Sequence, residues 1–129
     1  MDVNRLAAAI EHELQSFSEA VSEKIGEAVE IVAKEVNDEI KQHVTFRERT
    51  GKYVKAFRIK KINTGSKYNY SRVWHVLGPH YRLTHLLEHG HALRGGGRAR
   101  AFPHIIYGEQ LAERRMPELA EKAVQDAGR

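Results

Sequence analysis

The sequence predicts an α+β fold, with a long N-terminal helix, a small antiparallel sheet carrying a glycine-rich hairpin, and a C-terminal helix. Three observations predict it. Apolar residues recur at helical spacing over the first forty-odd positions. Short β-branched and aromatic runs broken by Gly, Pro and Asn follow between 45 and 104, and helical spacing returns after Pro103. With 129 residues, 41% of them hydrophobic, there is material for one modest core, so 1–129 is expected to form one domain, divided as 1–44, 45–104 and 105–129.

In the first helix Leu6, Ile10, Leu14, Phe17, Val21, Ile25, Ala28, Val32 and Val36 follow in steps of four, four and three, and Ile40 closes the series. This eleven-residue period, about 3.67 residues per turn, keeps a single apolar stripe on a nearly straight helix. At about 1.5 Å per residue the helix is roughly 60 Å long, more than the diameter of a domain this size. Part of it is therefore expected to project or to pack on another chain, through Phe17, Val21, Ile25 and Val32. Gly26 marks the expected bend.

After Thr45 the pattern shortens. Thr50 and Gly51 precede Tyr53, Val54 and Phe57, which suits one helical turn capped by Thr50. Residues 58–62 and 72–77 are strand candidates joined by a turn-rich stretch, and Gly78-Pro79 ends the second. Tyr81, Leu83, Leu86 and Leu87 suggest a short helix stopped at Gly90. Residues 91–94 and 98–101 flank Gly95-Gly96-Gly97 as a hairpin whose tip would set Arg94 against Arg98, a like-charge pair that calls for a nearby anion. The last helix is expected over about 107–127, with Leu111, Leu119, Ala123 and Val124 inward and a break near Met116 imposed by Pro117.

There is no cysteine, hence no disulfide framework and no thiolate metal site, which suits a reducing cytoplasm. The apolar run at 6–10 is short and flanked by charge, which argues against a signal peptide or a membrane span. Charge is segregated. Residues 1–48 carry eleven acids and five bases, net −6; residues 49–87 carry nine bases and no acid; residues 88–129 sum to +1. Such blocks neutralise one another within the fold, neutralise one another between subunits, or face an external polyanion.

Three patterns invite a chemical reading. His85-Leu86-Leu87-Glu88-His89 spells H-x-x-E-H, in which two histidines one helical turn apart could bind zinc with the glutamate as base. A third ligand and a cleft are also needed, and the helix ends one residue later, so a structural helix-to-strand corner is the plainer reading; casual metal binding by His85, His89 and His91 is the weaker alternative. The glycine triplet lacks the Lys-Ser or Lys-Thr of a phosphate loop. The basic middle segment is interleaved with Tyr53, Phe57, Tyr68, Tyr70, Trp74 and Tyr81, a mixture found in single-strand nucleic-acid binders and equally in a sheet with aromatics inside and lysines outside.

Arg49-Thr50-Gly51-Lys52, then His85-Leu86-Leu87-Glu88-His89-Gly90-His91, then Pro103-His104-Ile105 leading into a helix form an order that resembles the gene-product-ten-like tail-component family of tailed bacteriophages. The resemblance runs over nearly the whole chain and is strongest at the H-L-x-E-x-G-H stretch. It departs at His89, where family members often carry an aromatic or asparagine, and at Tyr107-Gly108, where they often have a second proline with alanine. It implies a structural virion protein without catalytic residues, metal or cofactor, made in the host bacterial cytoplasm. Its place would be head-tail joining, neck or tail completion, as an oligomeric ring, six-fold by tail symmetry, between head-closure and tail terminator or tail tube proteins. Within it, Thr50, Gly51, His85, Leu87, Glu88, Gly90 and Pro103 are the structural motif. Arg94, Arg98 and Arg100 are expected to meet an acidic surface, such as a neighbour's N-terminal helix at Glu19, Glu23 and Glu27, or genome DNA in the channel. The alternatives from other classes are a basic nucleic-acid-binding protein and a small zinc hydrolase. Glu88, in the last turn of its helix, needs a cation or backbone donors, with Arg98 and Arg100 as candidates.

Overall fold

The computed structural model describes residues 3–46, 51–62 and 70–128. Along the chain run α1 (Val3–Gln42), α2 (Lys52–Lys55), β1 (Phe57–Lys61), β2 (Arg72–Val76), α3 (Tyr81–His89), β3 (His91–Ala92), β4 (Arg98–Ala99) and α4 (Ile105–Ala127). The fold is α+β and mostly helical. The strands form two separate antiparallel pairs, β1 with β2 and β3 with β4.

The periodic stripe produces one uninterrupted 40-residue helix. Against it lies α4, running antiparallel: Gly108 meets Ile40 and Val36, Arg115 meets Glu35, and Gly128 comes beside Phe17. Gly108 permits the closest approach, since a Cβ there would stand 2.7 Å from Ile40 Cγ1. Gly26 has the same kind of role. A Cβ on it would fall 2.5 Å from the Tyr70 ring, so the glycine expected to bend the helix instead admits an aromatic against it.

Two expectations for α4 are corrected. The helix continues through Pro117 without a break. Losing one hydrogen bond and accommodating the ring costs about 3 kcal/mol in a free helix. Here contacts with α1 on both sides of the proline offset that cost, through the Arg115 side chain before it and buried Ala123 after it. Val124, assigned inward, is 48% exposed; Gly108, Ala112 and Met116 join Leu111, Leu119 and Ala123 on the inner side.

β1 and β2 pair in the register Phe57↔Val76, Ile59↔Trp74 and Lys61↔Arg72 on one face, Arg58↔His75 and Lys60↔Val73 on the other. Period-two alternation therefore turns Phe57, Ile59, Trp74 and Val76 toward the helices and Arg58 and Lys60 outward. The core gathers Ile40, Tyr53, Ala56, Phe57 and Val76, with Val36, Phe46, Trp74 and Leu87 around it. Trp74 donates its indole N–H to Asn37 at 3.0 Å, fixing the sheet to α1. The α2 turn opens at Gly51 with φ 69, a left-handed value that suits glycine; the expected Thr50 cap lies outside the described residues.

The charge blocks meet partly inside the chain. Arg72, of the basic segment, donates to Glu30 of α1, and Arg115 grips Glu35 with two hydrogen bonds at 2.9 and 3.1 Å. The Arg115 hydrogen bond, first among the causes, holds the Glu35 carboxyl below the usual range, and Arg115 is correspondingly raised.

Candidate functional site: a structural corner and open assembly surfaces

The H-x-x-E-H motif sits on α3, whose end at Gly90 is set by geometry. Gly90 has φ 72, and a Cβ there would lie 2.6 Å from the Ala99 carbonyl, so only glycine can make the turn into β3. Just before it, Glu88 reaches across to the start of α4. Its Oε1 accepts the backbone N–H groups of His104 and Ile105, both at 2.9 Å, and Oε2 that of Ile106 at 3.2 Å. The first amides of a helix have no partner within it, and α4 has no capping side chain of its own at His104. A carboxylate from α3 supplies the cap and also meets the positive end of the helix dipole. The expectation of backbone donors holds; Arg98 and Arg100 are not the partners, since both are exposed and Arg100 lies over the Phe102 ring at 5.4 Å.

Behind this cap His104 is fully buried. Its Nδ1 lies 2.7 Å from the Phe102 carbonyl oxygen, which can only accept, so Nδ1 donates there, and Nε2 shares a hydrogen bond with the Tyr53 hydroxyl at 2.8 Å. Tyr53 also shares a hydrogen bond with Thr84 Oγ1 at 3.3 Å, and Phe102 N–H donates to the Leu87 carbonyl. The corner thus binds α2, α3 and α4 together. The sequence reading places Tyr53 in a helical turn and His104 in the Pro-His-Ile motif but does not pair them; the Pro-His pair before a helix with no Ser, Thr, Asp or Asn cap is the available signal.

Burial pushes the Glu88 carboxyl up, but the backbone amides of His104, Ile105 and Ile106 outweigh it and bring the pKa below the ordinary value. A carboxylate depressed in the folded state stabilises fully above its unfolded pKa and loses that contribution as pH falls through the folded one. Glu88→Gln removes the charge and sets an amide against one N–H. It is expected to cost about 1–2 kcal/mol, read by urea unfolding at pH 7. The deficit relative to the parent should shrink as pH falls below about 4.5, the ordinary carboxylate value. A deficit that persists unchanged at pH 3 would break the assignment.

The remaining described motif residues lie apart or in packed positions. Leu87 is packed on the core, and exposed Pro103 leads into α4. His85 and His89 are exposed with ring centroids 5.0 Å apart, while His91 is half-buried with a buried Nδ1 that finds no partner. Among the described residues no three metal-ligating side chains converge. Glu88 is spoken for by three amides. Among the described aromatics of the basic segment, Tyr53 and Phe57 are buried and Trp74 packs edge-on to Phe57 at 4.7 Å, which removes these three as a stacking platform for bases; Tyr81 is exposed, and Tyr68 lies outside the described residues.

The hairpin differs from its expected register. Ala92, not Arg94, faces Arg98. Leu93 N–H donates to the Gly97 carbonyl, so the turn opens at Leu93 and closes at Gly97, and Gly96 and Gly97 both take positive φ. Arg94 lies in the turn, and the predicted like-charge pair does not arise. Arg94, Arg98 and Arg100 are all exposed.

The other open surface is the beginning of α1. Every residue from 3 to 19 is exposed, including Leu6 at 48%, Ile10 at 51%, Leu14 at 64% and Phe17 at 41%. α4 returns along α1 only as far as Phe17. About 14 residues, roughly 21 Å, extend past it. The named seam residues divide accordingly: Phe17 is exposed, Val21 and Ile25 are half-buried, and Val32 is buried within this chain. No helix among the described residues is long and apolar enough to cross a membrane.

No curated protein and no solved structure matches the chain. Residues 8–90 match the family model described as "Bacteriophage HK97-gp10, putative tail-component". The matched span takes in most of α1, the β1–β2 pair and α3 up to Gly90, and stops short of the hairpin and α4. Covering more than half of the residues, it makes this chain a member of the HK97-gp10-like family of bacteriophage tail components.

Proposed function

We propose that the protein is a ring-forming structural subunit of the neck or tail-completion region of a tailed phage, resident in the virion between head-closure proteins and the tail terminator or tube. The observation that carries this reading is the uncovered arm of α1: a 21 Å apolar stripe on a helix that its own fold leaves bare is a surface for another chain. A contact of one patch with a different patch on the next copy closes into a ring when the rotation allows. Six-fold closure follows from tail symmetry. The role is assembly and not catalysis, in keeping with a Glu88 committed to backbone donors. Arg94, Arg98 and Arg100, exposed on a hairpin held to α3, suit an acidic neighbour, with genome DNA in the channel as the lesser partner.

Electron microscopy of particles tests the proposal. The expected result is a six-fold layer at the head-tail junction into which the 40-residue helix can be traced. Complete, infectious particles that lack this chain would overturn it.

A further inference from the structure

Between α1, α4 and the inner face of the β1–β2 pair runs an open trough of about 480 Å³. Its walls are apolar, formed by Val32 and Val36 of α1, Ile59 and Trp74 of the sheet, and Ala112 and Met116 of α4. Among the described residues the charged ones along it are Arg72, already tied to Glu30, and Glu109. It lacks the convergent polar groups that orient a small ligand, although its size falls in the range of about 300–1,000 Å³ typical of such pockets.

We propose that this trough is the seat for the α1 arm of a second copy of the chain. Val3, Leu6, Ile10 and Leu14 recur in steps of three and four, forming a single exposed apolar ridge. Charge favours the same match at the sheet end of the trough. Residues 3–19 carry Glu11, Glu13 and Glu19 against one base, Arg5, while exposed Lys61 shares the trough-side face of the sheet with Arg72. The arm cannot fill its own trough, because it continues the very helix that forms the wall. Leu14 and Val29, the first α1 residue of the lining, are about 22 Å apart along the axis, and the arm leads away from the lining. The occupant is therefore another chain. Arm into trough is a contact between unlike patches, so each subunit gives one arm and receives one, the arrangement that rings require. The inference rests on the ring reading and adds to it which surfaces meet.

The absence of native cysteine makes the test specific. One batch carries Ile10→Cys, on the exposed arm, and a second carries Met116→Cys, on the half-exposed trough wall. The two are mixed, in concentrated protein and in assembled particles, and treated with a short bis-maleimide. The expected product is a mixed dimer joining the two variants, lost when Leu6 and Leu14 are also replaced by aspartate. Circular dichroism of each variant verifies the fold. Cross-linking of Ile10→Cys only to itself would mean that arms pair with arms, and cross-linking only to a different particle protein would give the arm another partner. Either result overturns the trough as its seat while leaving a ring intact. Native mass spectrometry showing a small apolar molecule retained on the chain, with no mixed dimer, would assign the trough to that molecule. Particles with no layer formed by this chain would instead defeat the ring reading itself.

Discussion

A chain with aspartate at Leu6, Ile10 and Leu14 is expected to fold normally and to fail in assembly. All three side chains are exposed on a segment that α4 does not cover, so the folded subunit loses little beyond some helix propensity, about 0.7 kcal/mol or less per residue. In the assembled state each buried leucine or isoleucine contributes about 1.5–3 kcal/mol, and a carboxylate in its place must also be desolvated. Even the lower figure for three residues corresponds to more than a thousandfold in affinity. Sedimentation should show only monomer, and complementation should yield no infectious particles, while the thermal midpoint falls by no more than about 10 °C. Alanine at the same positions keeps the helix and removes the apolar bulk, so it should also weaken association. Normal assembly of the aspartate variant would leave the arm without a role. Val21→Asp with Ile25→Asp is a poorer probe, because both residues are half-buried and their loss would mix folding with assembly.

The largest effect on stability is expected from His104→Ala. The substitution empties a fully buried site, leaves the Tyr53 hydroxyl without its strongest partner, and removes the ring that lies edge-on to Phe46 and Tyr53. Large-to-small changes of this kind cost about 3–5 kcal/mol, a sizeable part of a domain's total stability of about 5–15 kcal/mol. The midpoint of thermal unfolding should fall by roughly 10–20 °C. Tyr53→Phe, which removes only the oxygen, should cost about 1–2 kcal/mol. In a double-mutant cycle the two changes should be less than additive, because they break the same hydrogen bond. A loss below about 1 kcal/mol for His104→Ala, by urea unfolding, would show that the corner repacks around the gap.

The elements that the sequence made legible are those whose signal is local. The eleven-residue stripe located α1 to within a few residues, β-branched and aromatic runs located β1 and β2, and Gly90 marked the end of α3 because its backbone conformation excludes other residues. What failed depended on partners distant in sequence. Pro117 looked like a break because helix propensity cannot register α1 lying alongside. Arg98 was set opposite Arg94 because counting outward from three glycines ignores the turn that Gly96 and Gly97 adopt. Gly26 reads as a bend, whereas it, like Gly108, is a place where another element comes close. Of the candidate surfaces, the exposed part of the apolar stripe could be read as a projection from its length alone, but where covering stops, at Phe17, required knowing where α4 lies. The Glu88 cap was half legible: a carboxylate at the negative end of a helix demands donors, and the sequence offered arginines nearer than the amides that answer it.

That cap also governs exchange with solvent. The opening N–H groups of a helix ordinarily trade hydrogen for deuterium freely, since nothing within the helix holds them. In α4 the amides of His104, Ile105 and Ile106 are all held by one carboxylate rooted in α3, so none of them is released by fraying of α4 alone. Their deuterium uptake therefore reads the separation of α3 from α4, which makes three adjacent amides a built-in gauge of whether the corner opens when the subunit enters a particle.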